Sequence, residues 1–240
     1  MINQIDLSLI GWINGISATL VVSCAAIFGL LMAAQSKDKN SNLLMFGGLM
    51  GFFAGMMWLG PTADFFSVII TGKNLPNEYV YGILTFMWVL PLLVVTMFLG
   101  GELMLTKKNK YILVIISAIL GIIFELLLFF DVEAAIKDSS DPGGSELFDA
   151  SIEIGHPTFF LILVGLALLF GFVVIGGFRQ ALNTTGALRK RFIYMAFAIF
   201  LFIPIAIIDA FFEPVIIVLL MRFLMILVAW LLYLSLKIKI

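Results

Sequence analysis

Four ionisable residues fall where hydrocarbon is the expected surrounding. Arg222 lies inside the apolar run 215–235, Asp209 near the end of 192–212, Glu125 inside 111–130, and Glu102 near the end of 79–105. A charge at such depth is costly unless a partner neutralises it, a polar cavity hydrates it, or it relays protons. Counting ~1.5 Å per helical residue from the outer end of each run puts Asp209 ~5 Å, Glu125 ~8 Å and Arg222 ~10 Å deep. Three helices thus carry opposite charges at similar depth. The expectation is that Arg222 pairs with Asp209 or Glu125 and that the group lines an outward-opening pocket. Asp64, Trp58, Tyr81 and His156 would stand near its mouth, and Trp88 and Trp230 would pack deeper or line a cavity. The competing expectation is an ion pair that only fixes helix register. Glu102 follows Gly100-Gly101 at the level of Arg179, so a Glu102–Arg179 bridge would latch the inner face, with snorkelling of both to water as the alternative.

The inventory excludes several chemistries. His156 is the single histidine, which leaves bis-histidine haem without a second ligand and a three-histidine zinc hydrolase without two. A Ser–His dyad has only His156 to use, at a helix end that suits it poorly. No catalytic residue, metal or cofactor is expected, and the protein is not expected to be an enzyme. Net charge is −1, which gives no footprint for nucleic acid. Cys24 is the single cysteine and cannot form an internal disulfide.

The elements that must position these residues are transmembrane helices. The 240-residue chain is 62% hydrophobic and 12% charged, whereas soluble domains carry roughly 25% charged residues. Seven runs approach the ~20 residues a spanning helix needs: 9–34, 43–59, 79–105, 111–130, 158–178, 192–212 and 215–235. The second is short before Pro61, and 62–71 continues it after a kink or lies along the interface. Glu213-Pro214 is a turn so tight that the last two helices must be neighbours. Lys37, Lys39, Lys107, Lys108, Lys110, Arg179, Arg189, Lys190, Arg191, Lys237 and Lys239 share one side. By the positive-inside rule the N-terminus is outside and the C-terminus cytoplasmic. The fold class is therefore an all-α integral membrane protein, a single seven-transmembrane-helix bundle, multi-pass in the cell membrane. Residues 131–156 form an acidic outer loop with seven carboxylates and one lysine. In that loop Asp141-Pro142-Gly143-Gly144 is a turn signal, and Ser145-Glu146-Leu147-Phe148 would begin a short helix or hairpin over the outer face.

Gly47, Gly51 and Gly55 recur at every fourth position, as do Gly11, Gly15, Thr19 and Ser23, which suits close helix packing within the bundle or, alternatively, a homodimer face. Pro91 and Pro204 fall mid-run, where each removes a backbone hydrogen bond and allows a kink or hinge.

Trp58-Leu59-Gly60-Pro61 with Asp64-Phe65, Trp88-Val89-Leu90-Pro91, and Arg222 with Trp230 and Tyr233 give the chain a resemblance to a group of uncharacterised archaeal seven-helix membrane proteins. The resemblance implies the topology and no activity. Other seven-helix classes fit less well. Run 215–235 has no lysine for a retinal Schiff base, and the third run ends Gly-Gly-Glu-Leu rather than in an Asp-Arg-Tyr pattern. The echo of Pro61-Thr62-Ala63-Asp64-Phe65-Phe66 in Pro204 with Asp209-Ala210-Phe211-Phe212 is too faint for a SWEET-type repeat. Two readings lead. One is a receptor-like or sensory protein with a small-molecule ligand at Arg222, Asp209 and Glu125, signalling through a cytoplasmic partner on the basic loop 180–191. The other is a small-solute or proton-coupled transporter gated at Glu125 and Glu102. A non-catalytic scaffold is the third.

Overall fold

The structure is a computed structural model and describes residues 7–39, 42–138, 147–148, 150–211 and 215–237. Helix α1 (Leu9–Lys39) is followed by α2 (Asn42–Met56), α3 (Leu59–Thr71), α4 (Glu78–Phe86), α5 (Val89–Met104) and α6 (Lys107–Phe130). A short α7 (Val132–Ala135) leads into the strands β1 (Ile136–Asp138) and β2 (Ala150–Ile152). Helix α8 (Pro157–Leu169) passes through a π-helical segment, Phe170–Ile175, into α9 (Gly176–Leu182), and α10 (Gly186–Phe211) and α11 (Val215–Lys237) complete the order.

Five stretches among the described residues are long and apolar enough to cross a membrane: Leu9–Ser36, Tyr79–Met104, Lys107–Phe130, Pro157–Leu182 and Gly186–Asp209. A sixth arises if α2 and α3, which meet at 47°, form one broken span. The described apolar part of α11 is shorter, Leu219–Ser235. Large apolar residues cover the outside, among them Ile115, Ile119 and Phe130 of α6 and Leu220 and Phe223 of α11. Such a surface is stable only against lipid.

Two spans break by one device. Met57-Trp58-Leu59-Gly60-Pro61 and Met87-Trp88-Val89-Leu90-Pro91 share the pattern Met-Trp-x-x-Pro. A proline ring excludes the carbonyl four residues back and supplies no N–H to it. That carbonyl belongs to Met57 in one case and Met87 in the other, and α2 and α4 end there. The tryptophans hold nearly the same hinge conformation, φ −92° and ψ 11° at Trp58 against φ −87° and ψ −10° at Trp88. Pro91 is therefore not mid-helix but in the first turn of α5, while Tyr79–Met104 still runs as one span. Pro61 likewise opens α3, which continues the second run after a kink and ends where Gly72 takes φ 71°, its N–H donating to Val68 O at 2.8 Å. Pro204 behaves otherwise, because α10 runs through it unbroken.

The π segment was not foreseen. Its wider turn lies beside α5, where Gly100 lets Phe172 approach so closely that a β-carbon would sit 2.7 Å from Phe172 Cβ. Helix α1 packs chiefly on α2, α3 and α11, and α5 lies between α2, α6 and the π segment. Helices α10 and α11 do pack as neighbours, although their tight turn at Glu213-Pro214 lies outside the described residues. So do Asp141-Pro142-Gly143-Gly144 and Ser145-Glu146. The described flanks of the acidic loop form an antiparallel hairpin, Ile136 opposite Ile152, over a buried Leu147-Phe148. Trp230, expected inside, is 47% exposed on the apolar outer surface.

In the glycine stripe Gly55 lies tight against Ala25, where a β-carbon would run into Ala25 Cβ, and Gly48 beside the stripe is likewise close to α1. At Gly48 a β-carbon would meet Gly29 O at 2.7 Å, and at Gly29 one would meet Gly48 O at 2.8 Å, so α1 and α2 touch backbone to backbone. At Gly51 the nearest atom is Leu232 Cδ1 at 3.7 Å. Gly48→Ala is expected to lower stability by about 1–3 kcal/mol through overpacking. Gly51→Ala is expected to be neutral or better, because alanine favours the helix by roughly 1 kcal/mol. Thermal unfolding of both variants in one detergent checks the contrast.

Candidate functional site

The Arg222 side chain is 2% exposed, and its charge is held by amide and hydroxyl groups of α1. Nη1 donates to Asn14 O at 2.6 Å, to Ser17 Oγ at 3.0 Å, and to Asn14 Oδ1. Ser17 Oγ in turn donates to Asn14 O at 2.9 Å. The guanidinium thus clamps α11 to α1. The expected ion pair is not the arrangement found: the guanidinium's hydrogen bonds go to Asn14 and Ser17 rather than to Asp209 or Glu125. Placing a polar cluster across two spanning helices satisfies the charge without a second charge.

Arg222 and Asp209 nevertheless meet at one cavity of about 150 Å³. Trp58 and Tyr81 line it as expected, together with Pro61, Thr85, Thr96 and the hairpin residues Ser151 and Ile152. The rest of the wall is apolar, from Phe86 and Leu93 to Leu120, Phe124, Ile162 and Phe202. Such a space holds several waters or a small organic molecule. Among the side chains that line it, Thr85 Oγ1, Thr96 Oγ1, Arg222 Nε and Asp209 Oδ1 are buried atoms without a hydrogen-bond partner, Asp209 having another interaction. Thr85 is 8% exposed and Thr96 wholly buried. A helical threonine ordinarily satisfies itself on the carbonyl one turn back, as Thr62 does on Trp58 O at 2.8 Å. Orphaned buried polar atoms are individually unfavourable, and here a guanidinium nitrogen, a carboxylate oxygen and two hydroxyls occur in one lining.

Tyr81 and Trp58 are nearly inaccessible, and the β2 strand closes the outer end. Asp64 holds this cap rather than standing at a mouth. Fully buried at the outer end, it accepts from Leu75 N at 2.6 Å, Asn74 Nδ2 at 2.9 Å and Phe148 N at 2.8 Å. One carboxylate therefore ties the α3–α4 turn to the chain that leads into the hairpin. Phe148 also lies against Tyr81, ring centroids 6.0 Å apart, which links the cap to the cavity wall.

The other expected site residues lie elsewhere. Glu125 lines a separate depression with Tyr79, Ile122, Leu126, Phe129 and Phe130, on the outer flank of α6. Its carboxylate faces the backbone of Leu90, in the first turn of α5 where the break at Trp88 leaves N–H groups without helical acceptors. Trp88 packs against Phe52 and Phe53, its Nε1 donating to Leu84 O at 3.0 Å, and is not on the cavity wall. His156 caps α8, with Nδ1 2.8 Å from Thr158 Oγ1. At the inner end Glu102 pairs with Lys110 at 2.5 Å, not with Arg179, which is exposed. Lys110 Nζ also lies 4.1 Å from the centre of the Phe98 ring, and Gly101 leaves space for the lysine stem. The link between α5 and α9 is Gln180 Nε2 donating to Leu103 O at 2.6 Å.

Sequence reasoning missed Asn14, Ser17, Thr85 and Thr96. Asn14 carried a signal, since a side-chain amide inside an apolar run calls for a partner just as a charge does. The threonines carried none, because hydroxyls within a helix usually bond to their own backbone. A scan against protein-family models finds no match, and a search of curated proteins finds no relative. The geometry alone therefore carries the functional argument.

Asp64→Ala would strand three donors and is expected to cost at least ~3 kcal/mol, while Asp64→Asn keeps an acceptor and costs about half as much. Hydrogen exchange at 150–152 is expected to accelerate in both, more in the alanine variant, because the cap loses its anchor.

Proposed function

We propose that this is a receptor-like or sensory seven-helix membrane protein that binds a small molecule in the Arg222 cavity. The observation that carries the reading is the meeting of Arg222 and Asp209 at one largely apolar cavity, with Thr85 Oγ1, Thr96 Oγ1 and Arg222 Nε buried in its lining without hydrogen-bond partners. Pockets of mostly apolar lining with a few convergent polar groups are the ordinary form of a ligand site. A signal would reach the inner side through the hinges at Trp58 and Trp88, both at the top of helices that pack on the core. The exposed bases Arg189 and Lys190 in 180–191 offer a cytoplasmic partner or anionic lipid a surface.

The transporter reading is less well supported. Below the cavity Trp58, Leu92, Leu169 and Phe202 form a floor shared with a second cavity of about 30 Å³, whose wall is otherwise apolar, including Val21, Met50 and Val228. Neither Glu125 nor Glu102 lines either space. A proton or polar solute would have to cross that apolar floor without a relay group.

The proposed topology counts α2 with α3 and α4 with α5 as single bent spans and α11 as the seventh, N-terminus outside and C-terminus cytoplasmic, in the cell membrane. It is tested by cysteine labelling in a Cys24→Ala background. Lys73→Cys is expected to react in intact cells with an impermeant maleimide, and Asn183→Cys only after permeabilisation. The reverse pattern would invert the topology.

Binding is tested by thermal unfolding across a small-molecule and lipid library. A ligand is expected to raise the parent Tm and to leave Arg222→Ala and the double variant Thr85→Val/Thr96→Val unshifted. The valine double variant is expected to be as stable as the parent or more so, by about 1–2 kcal/mol, because isosteric apolar groups replace orphaned hydroxyls. If nothing stabilises the parent and Arg222→Ala unfolds, the cluster is a structural clamp.

A further inference from the structure

Glu125 has no part in the Arg222 cavity, and its own surroundings call for a cation. It lies in α6 five residues before Phe130, ~8 Å below the outer end of the helix. The side chain is half-buried. Its carboxylate accepts a hydrogen bond from the backbone of Leu90, and no described lysine or arginine pairs with it. One bond leaves most of a carboxylate's acceptor capacity open. An acid at the lipid face is stable when a proton or a cation neutralises it. Glu102, at the inner end, has Lys110 for that purpose.

The walls of the Glu125 depression are suited to an organic cation. It encloses about 300 Å³ between Tyr79 of α4 and Ile122, Leu126, Phe129 and Phe130 of α6. Phe129 follows Glu125 by about one helical turn, so ring and carboxylate share a face. The Tyr79 and Phe129 rings are 6.3 Å apart between centroids and inclined at 58°, two π faces set at an angle to each other. Aromatic faces attract ammonium groups, methylated ones included, and a carboxylate beside them adds the opposite charge. The depression also borders the bilayer, since Tyr79, Ile122, Leu126 and Phe130 are exposed. Below it the exposed Ile119 and Ile115 continue the Ile122 face of α6 as an apolar track. A second copy packed through the same face about a two-fold axis would set Glu125 against its own counterpart, like charge against like charge.

We propose that this depression binds a membrane-borne amphiphile with an ammonium head. The head stands between Tyr79 and Phe129 against the Glu125 carboxylate, and the hydrocarbon chain follows Ile122, Ile119 and Ile115. The site is separate from the Arg222 cavity and does not rest on the reading given to that cavity.

The test uses the full chain in phosphatidylglycerol nanodiscs, whose lipid has no amine to compete. Three nitroxide probes are compared by electron paramagnetic resonance: 4-(hexadecyldimethylammonio)-TEMPO, the uncharged 4-palmitamido-TEMPO, and 4-trimethylammonio-TEMPO, which is the head without the chain. The ammonium amphiphile is expected to show a saturable immobilised component, above the boundary signal that grows without saturating. The uncharged amphiphile is expected to bind at least about tenfold more weakly, for want of a charge-assisted contact. Glu125→Gln, whose amide oxygen still accepts from Leu90, is expected to fold with an undiminished Tm and to weaken the ammonium amphiphile by a similar factor. Tyr79→Leu is expected to weaken it about fivefold, as for loss of one cation–π contact, and Tyr79→Phe to leave it within about twofold. The head without the chain is expected to give no saturable component at the same concentrations.

Equal binding of the uncharged amphiphile, or an unchanged signal in Glu125→Gln, overturns the head-group assignment and leaves Glu125 a protonated acid facing lipid. Saturation by the chainless head at the same concentrations overturns the membrane source. Loss of the signal in Thr85→Val/Thr96→Val traces it to the Arg222 cavity and overturns the separate site. A changed oligomeric state in Glu125→Gln without a change in probe binding gives the depression to a second copy, which also overturns the proposal. None of these outcomes bears on the Tm test of the Arg222 cavity.

Discussion

Burying one guanidinium in hydrocarbon sets terms that much of this structure meets. Arg222 cannot shed its proton, so its desolvation must be offset by fixed acceptors at bonding distance. They come from Asn14 and Ser17, which brings the last helix against the first and closes the bundle there. The pairing is between a charge and neutral dipoles, so Nε keeps bonding capacity beside the cavity. Had a carboxylate taken the guanidinium bidentately, as in a strong arginine–carboxylate pair, less would have been left over for any ligand.

The second constraint is the pair of Met-Trp-x-x-Pro breaks. The 47° bend between α2 and α3 falls at Trp58, and Trp58, Pro61, Tyr81 and Thr85 around the two breaks all line the cavity. A bend in a membrane helix exposes backbone groups that hydrocarbon cannot satisfy. Here Thr62 Oγ1 bonds Trp58 O, and the Glu125 carboxylate faces the start of α5. Glu125 thus stands in a separate depression, apart from the Arg222 cavity. The same logic gives Asp64 its place, where three donors of the outer turns converge on one carboxylate.

The cavity follows from a mismatch between α8 and its neighbours. The π segment keeps the inner part of that span against α5 and α10 while the outer part leans toward α6. Ser151 and Ile152 of β2 border the space, and Trp58, Leu92, Leu169 and Phe202 are shared with the second, smaller cavity. Rigid floor and tethered cap suit binding with a small change in helix angle better than they suit passage through the bundle.

Composition and run length alone determined that the chain is helical and made for lipid, because no water-soluble core can absorb so much apolar surface. The prolines gave the break of the second span, since loss of a backbone donor is a local property. Arg222, Asp209, Trp58 and Tyr81 were legible as a group, for charges and amphipathic rings inside apolar runs demand a shared polar space. Tertiary structure decided the rest. Whether Arg222 met Asp209, Glu125 or Asn14 depended on helix order and rotation, which one-dimensional spacing does not encode. The Glu102–Lys110 pair in place of Glu102–Arg179 was likewise a matter of which neighbour stood closer. Thr85 and Thr96 became notable only once their hydroxyls were seen to lack the backbone bond that threonine usually makes. The outward-facing Trp230 and the hairpin lid depended on rotation about a helix axis and on pairing between distant segments. Both are settled by packing energies summed over the whole bundle, and no single run of residues contains them.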